Sequence, residues 1–235
     1  MDETTRDVLR AVMEEFKEIS YISPEDIPDI PLYMDQITTF MDAKLAACKR
    51  YPDDKILTKT MINNYTKNKL LPPPEKKKYS REHLLLLIYI YYLKDFLSIS
   101  DIQTLLGPLE DRHFHVSDGI TMPEIYQEAF DLIKGQTGYM SKDLLRRWKM
   151  AESAFTEAPE DSEEYLHLFA FVCLLSFDVY VKKKLIETVV DKINLAQSGK
   201  GKKKKESSRP DTPDDTDEPE FDPLKEAYDE DEELF

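Results

Sequence analysis

Val8, Val12, Phe16 and Ile19 recur at helical spacing near the start of the chain, with Leu9 and Met13 beside them. That pattern predicts an amphipathic helix, capped by Thr4 or Thr5. The stretch "SPEDIPDIP" carries three prolines and predicts an irregular connector. Over 32–50 the apolar stripe resumes at Ile37, Phe40, Met41, Leu45 and Cys48, a second helix that "YPDDKIL" interrupts. Thr58 then caps a helix of about three turns with Met61, Ile62 and Tyr65 facing inward. Proline lacks an amide donor and restricts the residue before it, so Pro72, Pro73 and Pro74 end that helix. Ser80 opens "REHLLLLIYIYYLKDFL", apolar almost all round and therefore central to a core. "SISDIQTLL" is a short helix capped by Ser98 or Ser100, and "TMPEIYQEAFDLIKG" and "SKDLLRRWKMAESAF" read as two more. A long helical pattern covers 163–194. Nothing alternates at strand period, so the expected class is all-α, with at most a tiny β-wing.

From 196 onward the chain is poor in apolar residues and rich in Lys, Asp, Ser and Pro, the composition of a disordered charged tail. The expected divisions are an N-terminal helix and connector at 1–31, a first helical unit at 32–107, a helical C-terminal domain at 108–195 and the tail at 196–235. The 235 residues are 41% hydrophobic with a mean hydropathy of -0.54, which suits a globular chain. Cys48 and Cys173 stand far apart in apolar surroundings; both are expected to be buried, without a disulfide framework. Met1 opens an acidic stretch without a basic or apolar leader, so a cytoplasmic location without a signal peptide is expected. The run at 168–181 is interrupted by Ser176 and Asp178 and falls short of the roughly 20 residues of a membrane span. It reads as a buried helix, with no membrane as partner.

Charge changes the picture. The net formal charge is -15, yet residues 49–81 hold 10 Lys and Arg against 3 Asp and Glu, while the segments 1–48, 82–195 and 196–235 are each negative. A local positive patch attracts phosphate within a Debye length of about 10 Å whatever the overall charge. The helix N-terminus at Thr58 offers free amides to phosphate, and the hydroxyls of Thr58 and Thr60 suit phosphate or base edges. Asn63 and Asn64 can make bidentate contacts to adenine in the major groove. Lys59, Lys67, Lys69, Lys76, Lys77, Lys78 and Arg81 can neutralise phosphates without reading bases. Tyr79 either anchors the wing by packing or donates its hydroxyl to phosphate. His113 and His115 lack a second pair at metal-ligand spacing, His83 and His167 lie among apolar helical residues, and "KGQTG" lacks the phosphate-loop spacing. No side-chain constellation supports catalysis, so neither an enzyme, a metal nor a cofactor is expected.

The order "MINNYT", "KNKLLPPP", "KKYSREHL", "FLSISDI" over roughly 32–107 resembles the winged helix-turn-helix of the MerR family of bacterial regulators. Tyr65 matches that family's second helix tyrosine. Asn63 and Asn64 stand where it has arginine and tyrosine, and Lys69 where it has glycine. Lys77, Lys78, Tyr79 and Ser80 match the end of its wing, and Ser98, Ile99, Asp101 and Ile102 its following helix. As a whole, the chain is similar to a family of functionally undescribed proteins of low-GC Gram-positive bacteria. The resemblance implies sequence-specific binding of double-stranded DNA in transcriptional regulation, with repression preferred, by the helix at 58–69 and a basic wing at 72–81. Such proteins are commonly two-fold dimers, and the helix at 163–194 is the candidate dimer contact; burial within its own subunit is the other reading. The alternative function is a helical adaptor whose basic patch binds an acidic partner. The tail, with 14 Asp and Glu against Arg209 and Lys225 over 206–235, is either a competitor for DNA phosphates or a solubilising appendage.

Overall fold

The amphipathic stripe at the start of the chain folds as α1, Glu3–Glu18, in a computed structural model that describes residues 3–18, 21–116 and 118–202. The helix begins ahead of Thr4 and Thr5, so neither caps it. After a 3-10 turn at Pro24–Asp26 come β1, Leu32–Tyr33, and α2, Met34–Lys44. A second 3-10 turn, Ala46–Cys48, precedes α3, Lys59–Lys67, which leads to β2, Lys78–Tyr79. Four helices follow: α4, Arg81–Leu93; α5, Ile99–His113; α6, Met122–Glu152; and α7, Glu160–Lys202. The described residues are therefore mostly helical, with a single two-stranded antiparallel sheet among them. Its register pairs Leu32 with Tyr79 and Tyr33 with Lys78.

α4 is the hub. Its Leu84, Leu85, Leu86, Leu87, Ile88 and Ile90 are all essentially solvent-free, as its all-round apolar sequence requires. Ile22 and Ile27 of the connector, Ile37 and Met41 of α2, Ile62 and Tyr65 of α3, Ile102 of α5 and Tyr126 of α6 complete that core. A smaller cluster joins Trp148 and Ala151 of α6 to Phe171 of α7, with Val8 and Leu9 of α1 against them.

Several boundaries differ from those the pattern predicts. The helix expected over 32–50 is shorter, because Leu32 and Tyr33 are drawn into the sheet and Tyr33 caps α2, its N–H meeting Gln36 Oε1 at 2.8 Å. α5 runs on through Pro108 and thus crosses the expected 107/108 boundary. Pro108 brings no amide for the Thr104 carbonyl; the Gln197 side chain supplies a donor instead, at 3.2 Å. The two helices expected over 121–155 are one. Gly135 and Gly138 sit inside it, at a cost of about 1 kcal/mol each that its length absorbs. The connector is not peripheral either: Tyr126 donates its hydroxyl to the Ile22 carbonyl at 2.7 Å, so 22–31 belongs to the core.

α7 departs furthest. It continues to Lys202, past the expected start of the tail, and residues 203–235 with their acidic run lie outside the described residues. The run expected to be buried is largely exposed: Phe177 is 68% exposed, Tyr180 60%, and Phe169, Val172 and Val179 are also open to solvent. Phe171 packs inward, but among the described residues no other element covers the opposite face. Cys173 is exposed for the same reason, and Cys48 is half-buried. Between Asp161 and Ser198, α7 is long and apolar enough to cross a membrane by length and composition.

Candidate nucleic-acid interface

α3 begins where Thr58 Oγ1 accepts the Met61 N–H at 3.1 Å, the N-cap its sequence predicts. Ile62 and Tyr65 point into the core, so Thr60, Asn63, Asn64 and Lys67 fall together on the solvent face, at i, i+3, i+4 and i+7. Among the described residues, no hydrogen bond or ion pair engages the side chain of Asn63 or Asn64. The helix closes with Leu70 N–H on the Tyr65 carbonyl (2.9 Å) and Lys69 N–H on that of Thr66 (3.1 Å). This is a Schellman ending, which puts its capping residue in the left-handed region. That residue is Lys69, at φ 56°, the position where the resemblance has glycine.

Pro72, Pro73 and Pro74 carry the chain from α3 to the wing. The turn there is closed by Lys78 N–H on the Glu75 carbonyl at 2.8 Å, with Lys76 at φ 49° and Lys77 at φ 66°. Positive φ at both central residues is the type I′ geometry that usually calls for Asn-Gly. Lysine at both positions places two cations at the tip at the expense of backbone strain. Lys76, Lys77 and Lys78 are all exposed, and Lys78 Nζ lies 5.3 Å from the centre of the Tyr33 ring.

Tyr79 and Arg81 of the predicted site are taken up by the protein's own core and connector. Tyr79 is 3% exposed and meets the His83 ring edge-on; burial pushes its hydroxyl pKa up. It anchors the wing to the core and is not presented to solvent. Arg81 donates to the Pro24 carbonyl at 3.2 Å and reaches Asp29 at 3.4 Å, which ties α4 to the connector and leaves it poorly placed for phosphate.

Two of the remaining cations, Lys59 and Lys78, meet the start of α2. Lys59 pairs with Asp35, and Lys78 lies on Tyr33, so both ends of the basic segment meet the same short stretch, 33–35. Lys67 and Lys69 lie at the far end of α3, about 13 Å along its axis, where Gln103 holds the Lys69 carbonyl at 3.5 Å. Lys49 is bound to Asp42 at 2.7 Å. Tyr33, which carries Lys78, was not among the residues that the sequence pointed to. A two-residue strand has no periodicity to reveal it. Among the described residues, no group of three or more His, Cys, Asp and Glu side chains could hold a metal ion.

No curated protein and no solved structure matches the chain. Residues 22–129 match the model of a domain of unknown function (DUF1836), a span that takes in the connector, α2 to α5, the wing and the first turns of α6.

Proposed function

We propose that this chain binds double-stranded DNA as a sequence-specific transcriptional regulator, with α3 entering the major groove and the wing on the flanking phosphates. The observation that carries this reading is the outer face of α3. Thr60, Asn63, Asn64 and Lys67 form one exposed polar row on a short helix whose opposite side is locked into the core. Two unengaged asparagines on such a row suit bidentate contacts to adenine, each worth about 1–3 kcal/mol of discrimination. Lys76, Lys77 and Lys78 supply phosphate contacts that fix register. The winged helix-turn-helix assignment is supported by the order of the parts and by Lys69, left-handed where the resembling family has glycine. The connection from Lys44 to Lys59 is longer than that family's turn and bends through an extra 3-10 helix.

Occupying a site without a segment recognisable as contacting polymerase favours repression. Footprinting of the native protein across its genome tests the reading. Discrete protected sites are expected, and Asn63→Ala with Asn64→Ala should erase the preference among them while the fold stays intact. Uniform weak coverage by wild type and variant alike would leave the alternative, a helical adaptor that uses the same lysines on an acidic protein.

A further inference from the structure

Tyr165, Phe169, Cys173, Phe177 and Tyr180 of α7 are all exposed, and at 100° per residue they fall within an arc of about 120°. Tyr165 stacks on Phe169 with ring centres 6.3 Å apart, and Phe177 on Tyr180 at 6.4 Å. Cys173 stands midway between the two pairs. The outer row therefore reads the same from either end: tyrosine, phenylalanine, cysteine, phenylalanine, tyrosine. Charge along the helix is not mirrored but opposed. Asp161 and Glu163 precede the row, and Lys182, Lys183 and Lys184 follow it. The inward side is already taken, with Phe171 on Trp148 at 4.9 Å and Asp178 on Arg147 at 3.3 Å.

In a two-fold interface, if residue i of one copy meets residue j of the other, then j also meets i. A row that reads alike in both directions satisfies this when two copies run antiparallel. We infer that a second copy of this chain covers this face of α7, antiparallel, about a two-fold axis beside Cys173. Tyr165 of one copy then meets Tyr180 of the other, Phe169 meets Phe177, and Cys173 meets its own counterpart. The same axis brings Asp161 and Glu163 of each copy to the level of Lys183 and Lys184 of the other. A parallel pair would instead set acid beside acid and lysine beside lysine, which like charge disfavours. Lys182 and Lys184 also bind Asp178 and Glu187 within the helix, so these exposed charges fix orientation and add little affinity. Cys173 and Ser176 are small side chains at the crossing, where helices come closest, and the rings fill the space on either side. A lipid surface would draw no advantage from the mirrored row or the opposed charges. The interface stands apart from the DNA-binding reading and does not depend on it.

Sedimentation and cross-linking of the full chain, without DNA, test this. The wild type should sediment as a dimer at micromolar concentration. In the Cys48→Ser variant Cys173 is the sole cysteine, and a short bis-maleimide should join the two copies through it. Orientation is read on a background of Cys48→Ser with Cys173→Ser, where Ser162→Cys chains are co-expressed with Lys184→Cys chains that carry a different tag. The mixed pair should cross-link, and neither chain should cross-link with itself. An antiparallel pair holds its two copies of position 162 about 33 Å apart along the helix, whereas a parallel pair brings them together. Phe169→Glu with Phe177→Glu should give a monomer whose helices, by circular dichroism, are intact. A monomeric wild type, no link through Cys173, or self-linking of the Ser162→Cys chain overturns the proposal. So does a chain that stays in solution only with detergent, which would make the face a lipid-binding one.

Discussion

Lys76 and Lys77, at φ 49° and 66°, occupy a backbone region that costs an L-residue roughly 1–2 kcal/mol. Asparagine and glycine would relax the turn, so the lysines are there for their charge. Lys76→Asn with Lys77→Gly should raise stability by about 1 kcal/mol in urea melts and weaken DNA binding. Lys76→Gln with Lys77→Gln should weaken binding equally without the gain in stability; equal melts for the two variants would show that the turn stores no strain. His83 makes a second residue-level prediction. Burial lowers its folded-state pKa below the unfolded 6.5. The unfolded chain therefore takes up a proton first as pH falls, and stability is full above about pH 6.5 and declines between 6.5 and the folded value. The loss is at most about 1.4 kcal/mol per pH unit within that window. Urea midpoints at pH 7.5 and 5.5 should fall further for wild type than for His83→Gln; identical losses would put the sensitivity elsewhere.

At the scale of elements, α6 tests how glycine is tolerated in a long helix. A Cβ at Gly135 or Gly138 would meet nothing within 4 Å. Each glycine-to-alanine change should thus add about 0.5–1 kcal/mol to stability in thermal melts. A loss would mean that the position packs closely against something. Local chemistry made much of the fold legible. Thr58 as a cap, the inward Ile62 and Tyr65, the proline stop and the apolar α4 all lie within a few residues of their causes. What the sequence hid depends on distant partners. α5 survives Pro108 because Gln197, on another helix, serves the Thr104 carbonyl. Arg81 looks like a wing residue facing DNA and Tyr79 is open to either reading; only the return of 22–33 alongside the wing gives them structural partners in the connector and the core. Lys59, Thr60, Asn63, Asn64, Lys67, Lys69 and the wing lysines remain exposed where the sequence placed them.

For the whole molecule, the outer face of α7 is an extensive apolar surface that no described element covers. Tyr165, Phe169, Phe177, Tyr180 and Leu195 fall within about a 120° arc of it and are all half exposed or more. With full burial of an aromatic side chain worth 150–250 Å², the four aromatics at their exposures offer on the order of 500 Å² per chain, the greater part of the roughly 800 Å² that each side of a standard interface buries. The inner face is already packed on α6 and carries Asp178, 3.3 Å from Arg147, so a second copy suits this helix better than lipid. The full chain should sediment as a dimer at micromolar concentration, and Phe177→Glu with Tyr180→Glu should make it monomeric. A monomeric wild type, or one that stays in solution only with detergent, would contradict a dimer here. The positive segment 49–81 sits within a chain of net charge -15, so the proposed binding to DNA would be local and strongly salt-dependent. The decisive measurement is therefore a fluorescence-anisotropy titration of duplex DNA by the full chain at several salt concentrations, repeated with Lys76, Lys77 and Lys78 all changed to Gln. Each phosphate contact adds about 0.9 to the slope of log affinity against log salt, so the variant should bind more weakly with a slope shallower by about 2–3. Absence of binding by the wild type, or a slope that the triple change leaves unaltered, would contradict the account.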